Sequence, residues 1–442
     1  MKANFRNSFA KRSLVIAATA LPSLYCGLAS AQAAAPAPAA PAAAPALPAP
    51  IAGSTAPVAG PVEAPAVVTP AAPATPPAPA AMPPAIPPPE PPPDPMAEKY
   101  KHINMGIWMR VDGKLQNGTN PKKLDGFGST GELELHFSNQ MRKYVAWTAN
   151  IVASYNAAAI DGSTSSGNGN FVPNAASGTV GILDLIAQFE PDPAFNVWVG
   201  RMLVPSDRSN FSGPYFMGPW NYPLFVGPYY TGPQEGPSGR NDGATAWGQF
   251  GGGAFKYYAG VFHLNSATQK PLLTARLNLD LLSPEPGFYH SSTYYGSDIL
   301  AIGMGGQYSK NADANPAAAD GLSDYGLFNA DALFEKNLGA SGVVDVEGAF
   351  FKYVGDGQAL KWSHFVLASY LTPEVTGIGK FQPLVRVQQA IPKPGADTVT
   401  QLDAQVGYVV DSYATRFALG FTHIGGGGIA SNAVFAGVQL QK

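Results

Sequence analysis

Cysteine is nearly absent from this sequence of 442 residues, and charged residues are few. The single cysteine is Cys26, so a mature chain that begins beyond it contains no disulfide. Asp, Glu, Lys and Arg make up 13% of the residues and give a formal net charge of −3. Because the region from residue 96 onward is close to neutral and slightly acidic, the sequence contains no basic domain for nucleic acid.

Long apolar runs and catalytic motifs are also missing. Beyond residue 28 there is no run of about 18 apolar residues, the length that a membrane-spanning helix requires. The six histidines are scattered, with no HExxH, no pair at i and i+4, and no GxSxG. We therefore expect no enzymatic activity, no metal site and no cofactor.

The first 31 residues have the features of a secretory signal peptide. Residues 1–12 carry basic but no acidic side chains, and residues 13–28 form an apolar run. Residues 29–31, Ala-Ser-Ala, supply a cleavage motif of the A-x-A type. A bulky tyrosine precedes Cys26, where lipoprotein processing requires a small residue, so we favour cleavage after residue 31 over lipidation.

Residues 32–97 are mainly alanine and proline and cannot bury a core. This composition predicts a semi-rigid, extended spacer, which at about 3.1 Å per residue reaches on the order of 190 Å. Two interpretations stay open: a disordered leader without a specific role, and a periplasmic tether that contacts the peptidoglycan cell wall.

From residue 98 onward, short segments alternate in polarity. In LLTARLNLDL, residues 272–281, the polar side chains share one face of a strand, and leucine and alanine share the other. In a soluble sandwich this pattern separates core from solvent, whereas in a transmembrane barrel it separates lipid from a wet lumen. Aromatic residues recur near segment ends, among them Trp108, Trp198, Tyr258 and Tyr413, and we expect them to form the two interfacial girdles of a membrane barrel.

Sixteen segments of this kind can be assigned, an even number, as single-chain bacterial barrels require. They are residues 100–116, 131–138, 144–155, 180–190, 196–204, 241–250, 254–264, 272–282, 298–309, 325–336, 342–354, 361–371, 380–390, 398–410, 412–423 and 432–441. The predicted fold is all-β: a transmembrane antiparallel β-barrel formed by residues 98–442, with 16 strands and with fourteen and eighteen as alternatives.

The lengths of the connections support this fold. A barrel with both termini in the periplasm alternates long outer loops with short inner turns. Most long connections follow odd-numbered segments, and the short ones follow even-numbered segments. Residues 283–297 break the pattern because they are too long for an inner turn, so this segment is either a hidden hairpin or an unusually large inner connection.

Residues 205–239, called the third loop below, form the longest irregular segment of the barrel region. Asp207 and Arg208 are two of its three charged residues. Its aromatic candidates for a constriction are Tyr215, Trp220 and Tyr229. So much apolar surface does not lie free in water, and three placements are open: a plug or constriction in the lumen, a lid over the outer mouth, or a subunit contact.

Several motifs occur in a characteristic order: VWVGRMLVPSDRSNF, GRNDGATAWGQF with FKYYAGVFH, LLTARLNLDL and STYYGSDILAIGMGGQYSK. With these motifs the chain resembles the phosphate-selective porin O/P family of outer-membrane β-barrel porins. The resemblance implies a sixteen-stranded porin, commonly a trimer, in the outer membrane of a Gram-negative bacterium. It also implies that the third loop folds inward and narrows a pore for small solutes or anions.

Arginines are the candidates for pore-lining residues, because of their positions in the alternating strands and because of the family resemblance. Arg276, Arg386 and Arg416 are expected on the lumen face, and Arg201 and Arg240 flank the third loop. Each either lines the permeation path or forms half of an arginine–carboxylate pair that braces the lumen. Since acidic residues share that face, a strong net potential for anions is not expected.

The predicted function is a passive outer-membrane diffusion channel for small hydrophilic solutes or ions, with anion or phosphate selectivity left open. The alternative is a structural barrel with a plugged lumen, tethered to the cell wall by residues 32–97. The expected partners are outer-membrane lipid, further copies of this chain and the permeant solute.

Overall fold

The computed structural model describes residues 102–117, 123–157, 177–223, 239–264, 270–314, 321–358, 360–395, 397–426 and 429–442. Sixteen strands form one closed antiparallel barrel, in which each strand pairs with its neighbours in the sequence and β1 pairs with β16. Each of the sixteen predicted segments corresponds to one strand, so the predicted fold is confirmed. The signal peptide and the spacer predicted for residues 1–97 lie outside the described residues.

The strands are β1 (Asn104–Asn117), β2 (Leu124–Arg142), β3 (Val145–Ala157), β4 (Ser177–Asp192), β5 (Phe195–Leu203), β6 (Arg240–Phe250), β7 (Phe255–Phe262), β8 (Leu272–Asp280), β9 (Ile299–Ala314), β10 (Leu322–Asn337), β11 (Val343–Val354), β12 (Leu360–Leu371), β13 (Lys380–Pro392), β14 (Val399–Asp411), β15 (Thr415–Gly426) and β16 (Ile429–Gln441). The short helix α1 spans Arg208–Ser212, and 3-10 turns occur at Gly251–Gly253 and Gly339–Ser341. Within the described ranges, no helix has the length and apolarity to cross a membrane.

The barrel is polar inside and apolar outside. In β8 the even-numbered residues are buried and the odd-numbered residues are exposed. Arg276 is 1% exposed, whereas Leu277 is 45% exposed. Because a closed barrel satisfies every strand's backbone hydrogen bonds, this apolar outer surface is compatible with lipid.

The aromatic residues divide between the two faces. Tyr308, Phe350, Trp362 and Tyr370 are exposed on the outer surface, as a girdle requires. Other residues predicted for the girdle are buried inside the barrel: Trp198, Tyr258 and Tyr413, with Trp108 packed on Tyr215 of the third loop. That part of the girdle prediction is wrong, because nearness to a strand end does not determine which face a side chain occupies.

The connections differ at the two ends of the barrel. One end carries both chain termini of the barrel and tight turns such as residues 193–194. The same end carries residues 281–298, called the inner connection below, which join β8 to β9 and contain no strand. The segment is therefore a large connection and not a hidden hairpin. The third loop leaves β5 at the opposite end.

Candidate functional site in the barrel interior

Residues 205–223 of the third loop lie inside the barrel. The Asp207 carboxylate accepts the backbone N–H of Ser209 at 2.9 Å and thereby caps α1. The residues from Ser206 to Ser212 are all buried. Asn210 stabilises the turn, because its side-chain amide donates a hydrogen bond of 2.9 Å to the carbonyl of Val204. This part of the loop occupies the lumen instead of covering the outer mouth.

Four arginines on the inner wall hold the loop across the lumen through its backbone carbonyls. They come from β8, β15, β1 and β13, so the loop is fastened at distant points of the barrel wall. The bonds are Arg276 Nη1 to Ser206 O (2.7 Å), Arg416 Nη1 to Met217 O (2.5 Å), Arg110 Nη2 to Trp220 O (2.5 Å) and Arg386 Nη2 to Tyr222 O (3.3 Å). Bonds from a charged donor are stronger than neutral ones, so these contacts fix the path of the loop.

Trp220 is the aromatic anchor of the loop on the far wall. Its backbone N–H donates to Gln405 Oε1 at 2.7 Å, and the Arg110 guanidinium lies 4.3 Å from its ring centroid. Gly437 in β16 provides the room for this ring, since a Cβ at that position would lie 2.4 Å from it. The sequence analysis did not identify Arg110 or Gly437 as site residues. The alternation of side chains along β1 could have placed Arg110 on the lumen face, but no local sequence signal marks Gly437 as the position that faces Trp220.

The inner connection enters the lumen from the opposite end and meets the third loop. Glu285 accepts two hydrogen bonds of 2.6 Å from Arg208, and both side chains are essentially fully buried. A second link runs from the backbone N–H of Ser292 to the carbonyl of Phe216 at 3.0 Å. The two segments therefore form one packed unit inside the barrel.

Electrostatics inside this unit follow from its burial. Burial alone would raise the pKa of Glu285, but the Arg208 guanidinium holds that pKa well below its usual range. Burial lowers the pKa of His290, and Lys256 lowers it further, so this histidine is neutral. The buried charge pair of Arg208 and Glu285 is thus the main ionic contact between the two segments.

Glu335 on β10 anchors the inner connection to the wall. Its carboxylate accepts hydrogen bonds from the backbone N–H groups of Gly296 and Ser297 at 2.7 Å each. It also accepts from the Thr293 hydroxyl at 2.9 Å and from the backbone N–H of Tyr294. One side chain therefore holds residues 293–297 of the inner connection in place.

Two of the predicted lumen arginines are also paired with carboxylates. Arg276 contacts Asp331 at 2.6 Å, and Arg386 contacts Asp403 at 2.9 Å. All four side chains are buried. Arg416 differs, since it contacts the neutral amide of Gln439 at 2.8 Å. These arginines brace the wall and the loop.

The arginines beside the third loop lie in different surroundings. Arg240 is buried and contacts Asp184 through Nε at 2.7 Å. Arg201 contacts Asp242 at the same distance, but these side chains are 32% and 53% exposed, so this pair is separate from the buried group. Tyr229 lies outside the described residues.

A cavity of about 540 Å³, called the side cavity below, remains between the β1–β4 wall and the two inserted segments. Its polar lining includes Glu134, Asn150 and Asp184, and its aromatic lining includes Trp108 and Tyr215. This volume is typical of a site for a small molecule. Among the described residues, no group of three or more His, Cys, Asp or Glu is arranged to hold a metal ion.

Comparison with known proteins identifies the fold. No family model matches the sequence, and no curated protein matches it. OprB of Pseudomonas putida superposes with a TM-score of 0.53 at 12% identity, over 78% of this chain and 95% of that chain. The anion-selective porin from Comamonas acidovorans gives 0.50 at 12% identity, over 77% and 99%. Salmonella typhi OmpF in complex with daunomycin gives 0.52 at 9% identity, over 78% and 99%. At such identities the likeness concerns the fold alone, which is the sixteen-stranded barrel of outer-membrane porins.

Proposed function

We propose that this protein is an outer-membrane porin: a passive channel for small hydrophilic solutes, narrowed by the third loop and the inner connection. The observation that carries the proposal is the third loop lying across a polar lumen and fastened by wall arginines, within a barrel whose outer surface is apolar. A loop that narrows a polar lumen is a physical means of limiting the size of the solutes that pass.

The side cavity supports a route past the inserted segments. It lies along the β1–β4 wall, which supplies none of the carboxylates that brace Arg276 or Arg386. Solutes on this route pass polar side chains such as Glu134 and Asn150 as well as aromatic rings. We therefore place permeation along this wall, while the arginine–carboxylate pairs of Arg276 and Arg386 anchor the third loop elsewhere on the barrel.

Phosphate selectivity is the finer function that the family resemblance implies. It would need arginine donors that face the solute, yet Arg276 and Arg386 donate to carboxylates and to loop carbonyls. Arg416 likewise donates to the loop. We therefore do not propose that the channel is selective for phosphate. A block of the chloride current by phosphate would contradict this conclusion.

A structural barrel with a plugged lumen is the second candidate. It is favoured by the buried contact of Arg208 with Glu285, because this pair joins segments that enter from opposite ends. In this function, residues 32–97 would tether the barrel to the cell wall after the signal peptide, residues 1–31, has been removed. Assembly into a trimer belongs to the first candidate.

Planar-bilayer recording separates the two candidates. Full-length protein, purified from outer membranes and folded in detergent, is expected to give discrete conductance steps, whereas the same preparation after heat unfolding gives none. Folded protein that inserts without producing any steps would contradict the channel and favour the plugged barrel. Deletion of residues 32–97 is expected to leave the steps unchanged and tests the tether separately through wall association.

A further inference from the structure

The side cavity presents hydrogen-bond acceptors that the protein leaves unused. Asn150 is 8% exposed, and its Nδ2 donates to the Asp184 carboxylate at 2.8 Å. Because a carboxylate only accepts, this bond fixes the orientation of the amide, and its Oδ1 has no hydrogen-bond partner. Since buried polar atoms are normally paired, Asn150 Oδ1 is suited to receive a donor from a ligand.

A carboxylate lies on the same wall. Glu134 is 2% exposed and is 2.9 Å from the imidazole of His136. Glu132 lies two residues before Glu134 in β2 and therefore on the same face of the strand. Its Oε1 has no hydrogen-bond partner. Glu134 is therefore the carboxylate of β2 that lines the cavity, while Glu132 lies opposite Arg110 of β1.

The formal charges of the acidic and basic residues that line the side cavity do not sum to zero. These residues are Glu134, Asp184 and Arg240, and Arg240 is already bonded to Asp184 through Nε at 2.7 Å and Nη2 at 3.1 Å. The formal charges of these three side chains sum to −1. A single positive charge on a ligand would neutralise this net charge.

Aromatic rings line the side cavity on both sides, from β1 and from the inserted segments. Trp108 lies 5.3 Å from Tyr215 between ring centroids, and Phe211 and Tyr289 also line the space. Such rings bury the apolar body of a ligand, and their faces attract a cation. The cavity thus combines aromatic rings with hydrogen-bond acceptors and with the Glu134 carboxylate, which has no arginine or lysine bonded to it among the contacts given above.

We propose that the side cavity binds a small monovalent organic cation, with an ammonium group directed at Glu134 and Asn150 and an apolar body against the rings of Trp108 and Tyr215. The ammonium supplies the donors and the positive charge that this wall lacks, and an anion of the same shape meets Glu134 without a compensating donor. The inference rests on the proposed function for the route by which a solute reaches the cavity, and it opposes the anion preference implied by the family resemblance.

Three probes of similar shape test the proposal on the full-length folded protein in detergent: 2-phenylethylammonium, 2-phenylethanol and 3-phenylpropionate. Binding is measured by titration calorimetry, with empty micelles as the blank. The ammonium is expected to bind at least about tenfold more tightly than the alcohol, because a hydrogen bond to a charged acceptor is stronger than a neutral one. The carboxylate is expected to bind most weakly. Equal affinities for the three probes would overturn the proposal.

Variants locate the site. Glu134→Gln is expected to weaken ammonium binding about tenfold, which is the loss of one charge-assisted bond. Glu374→Gln, a matched change at an exposed carboxylate in the turn after β12, should leave binding unchanged. If Glu134→Gln does not fold, Asn150→Ala replaces it with the same expected direction, because it removes the Oδ1 acceptor of a lining residue. Unchanged affinity in the folded variant would overturn the assignment.

The outcome for the site is separable from that for the channel. If the protein binds the ammonium selectively but gives no conductance steps, the binding site is supported and the proposed channel function is contradicted. Conductance steps without selective binding would retain the channel and overturn the site.

Discussion

The guanidinium of Arg208, in the third loop, meets the carboxylate of Glu285, in the inner connection, through two hydrogen bonds of 2.6 Å. Arg208 also donates to the carbonyl of Ser291 at 2.8 Å. Since the two segments enter the barrel from opposite ends, these bonds make the position of each segment depend on the other. The width of the lumen is therefore set jointly by both.

Breaking this pair should release both segments. Arg208→Met leaves the Glu285 carboxylate buried without its partner, which costs about 3–5 kcal/mol in comparable buried pairs. We expect faster amide hydrogen exchange in both segments and larger conductance steps. The double variant Arg208→Met with Glu285→Leu should recover part of the protection, because no unpaired charge then remains.

Lys336→Met is the matched control for this prediction. Lys336 pairs with Asp298, and the two side chains are 43% and 41% exposed. Exposed pairs contribute about 0–1 kcal/mol, so exchange and conductance should stay close to those of the unmodified protein. Equal behaviour of Arg208→Met and Lys336→Met would show that the buried pair does not hold the segments.

Adding a methyl group at Gly437 should displace the third loop from the wall. A Cβ there would lie 2.4 Å from the Trp220 ring, so in Gly437→Ala the ring must move and the contact with Arg110 is weakened. Trp220 fluorescence, isolated in a variant without the other tryptophans, should shift to the red as the ring gains solvent. Gly306→Ala is the control, since its Cβ would meet neighbours at 3.5 Å, an ordinary contact; an equal shift in both variants would contradict the prediction.

The docking of α1 should weaken as pH rises. Burial and the neighbouring Asp331 raise the pKa of Asp207 to about 7, against the opposing effect of Arg276. A carboxyl whose pKa is higher in the folded than in the unfolded state stabilises folding at low pH, and this contribution is lost as pH rises through the folded pKa. Protection of α1 from hydrogen exchange, corrected for the intrinsic rate, should therefore fall between about pH 4 and pH 7.

Asp207→Asn tests this dependence. The amide is neutral at every pH in the range, and its oxygen still accepts the N–H of Ser209. We expect protection in the variant to be nearly independent of pH. A variant that shows the same fall as the unmodified protein would assign the effect to another group.

The strands were predictable because their signal is local. In β8, Arg276 and Leu277 alternate in polarity with the period of a strand, and such alternation is visible in a few residues. The antiparallel order then follows from short connections. The face occupied by Trp198 or Tyr258 was not predictable from nearness to a strand end, since one residue of register reverses it.

The contacts that the third loop and the inner connection make inside the barrel were harder to predict from the sequence. Length and aromatic content indicated that the third loop packs somewhere, but its partners, such as Gln405 for Trp220, are distant in the chain. The inner connection gave only its excess length as a signal. Nothing in its composition indicates that Glu285 would face Arg208, because that pairing depends on how both segments enter the closed barrel.

Polymer exclusion from the pore tests the central claim most directly. Conductance is measured with poly(ethylene glycol) of increasing size, for the unmodified protein and for a variant in which residues 206–222 are replaced by a short Gly-Ser linker. We predict that the unmodified channel excludes small polymers and that the variant admits larger ones, because the loop and its arginine contacts no longer cross the lumen. An identical size limit in both proteins would contradict a pore narrowed by the third loop.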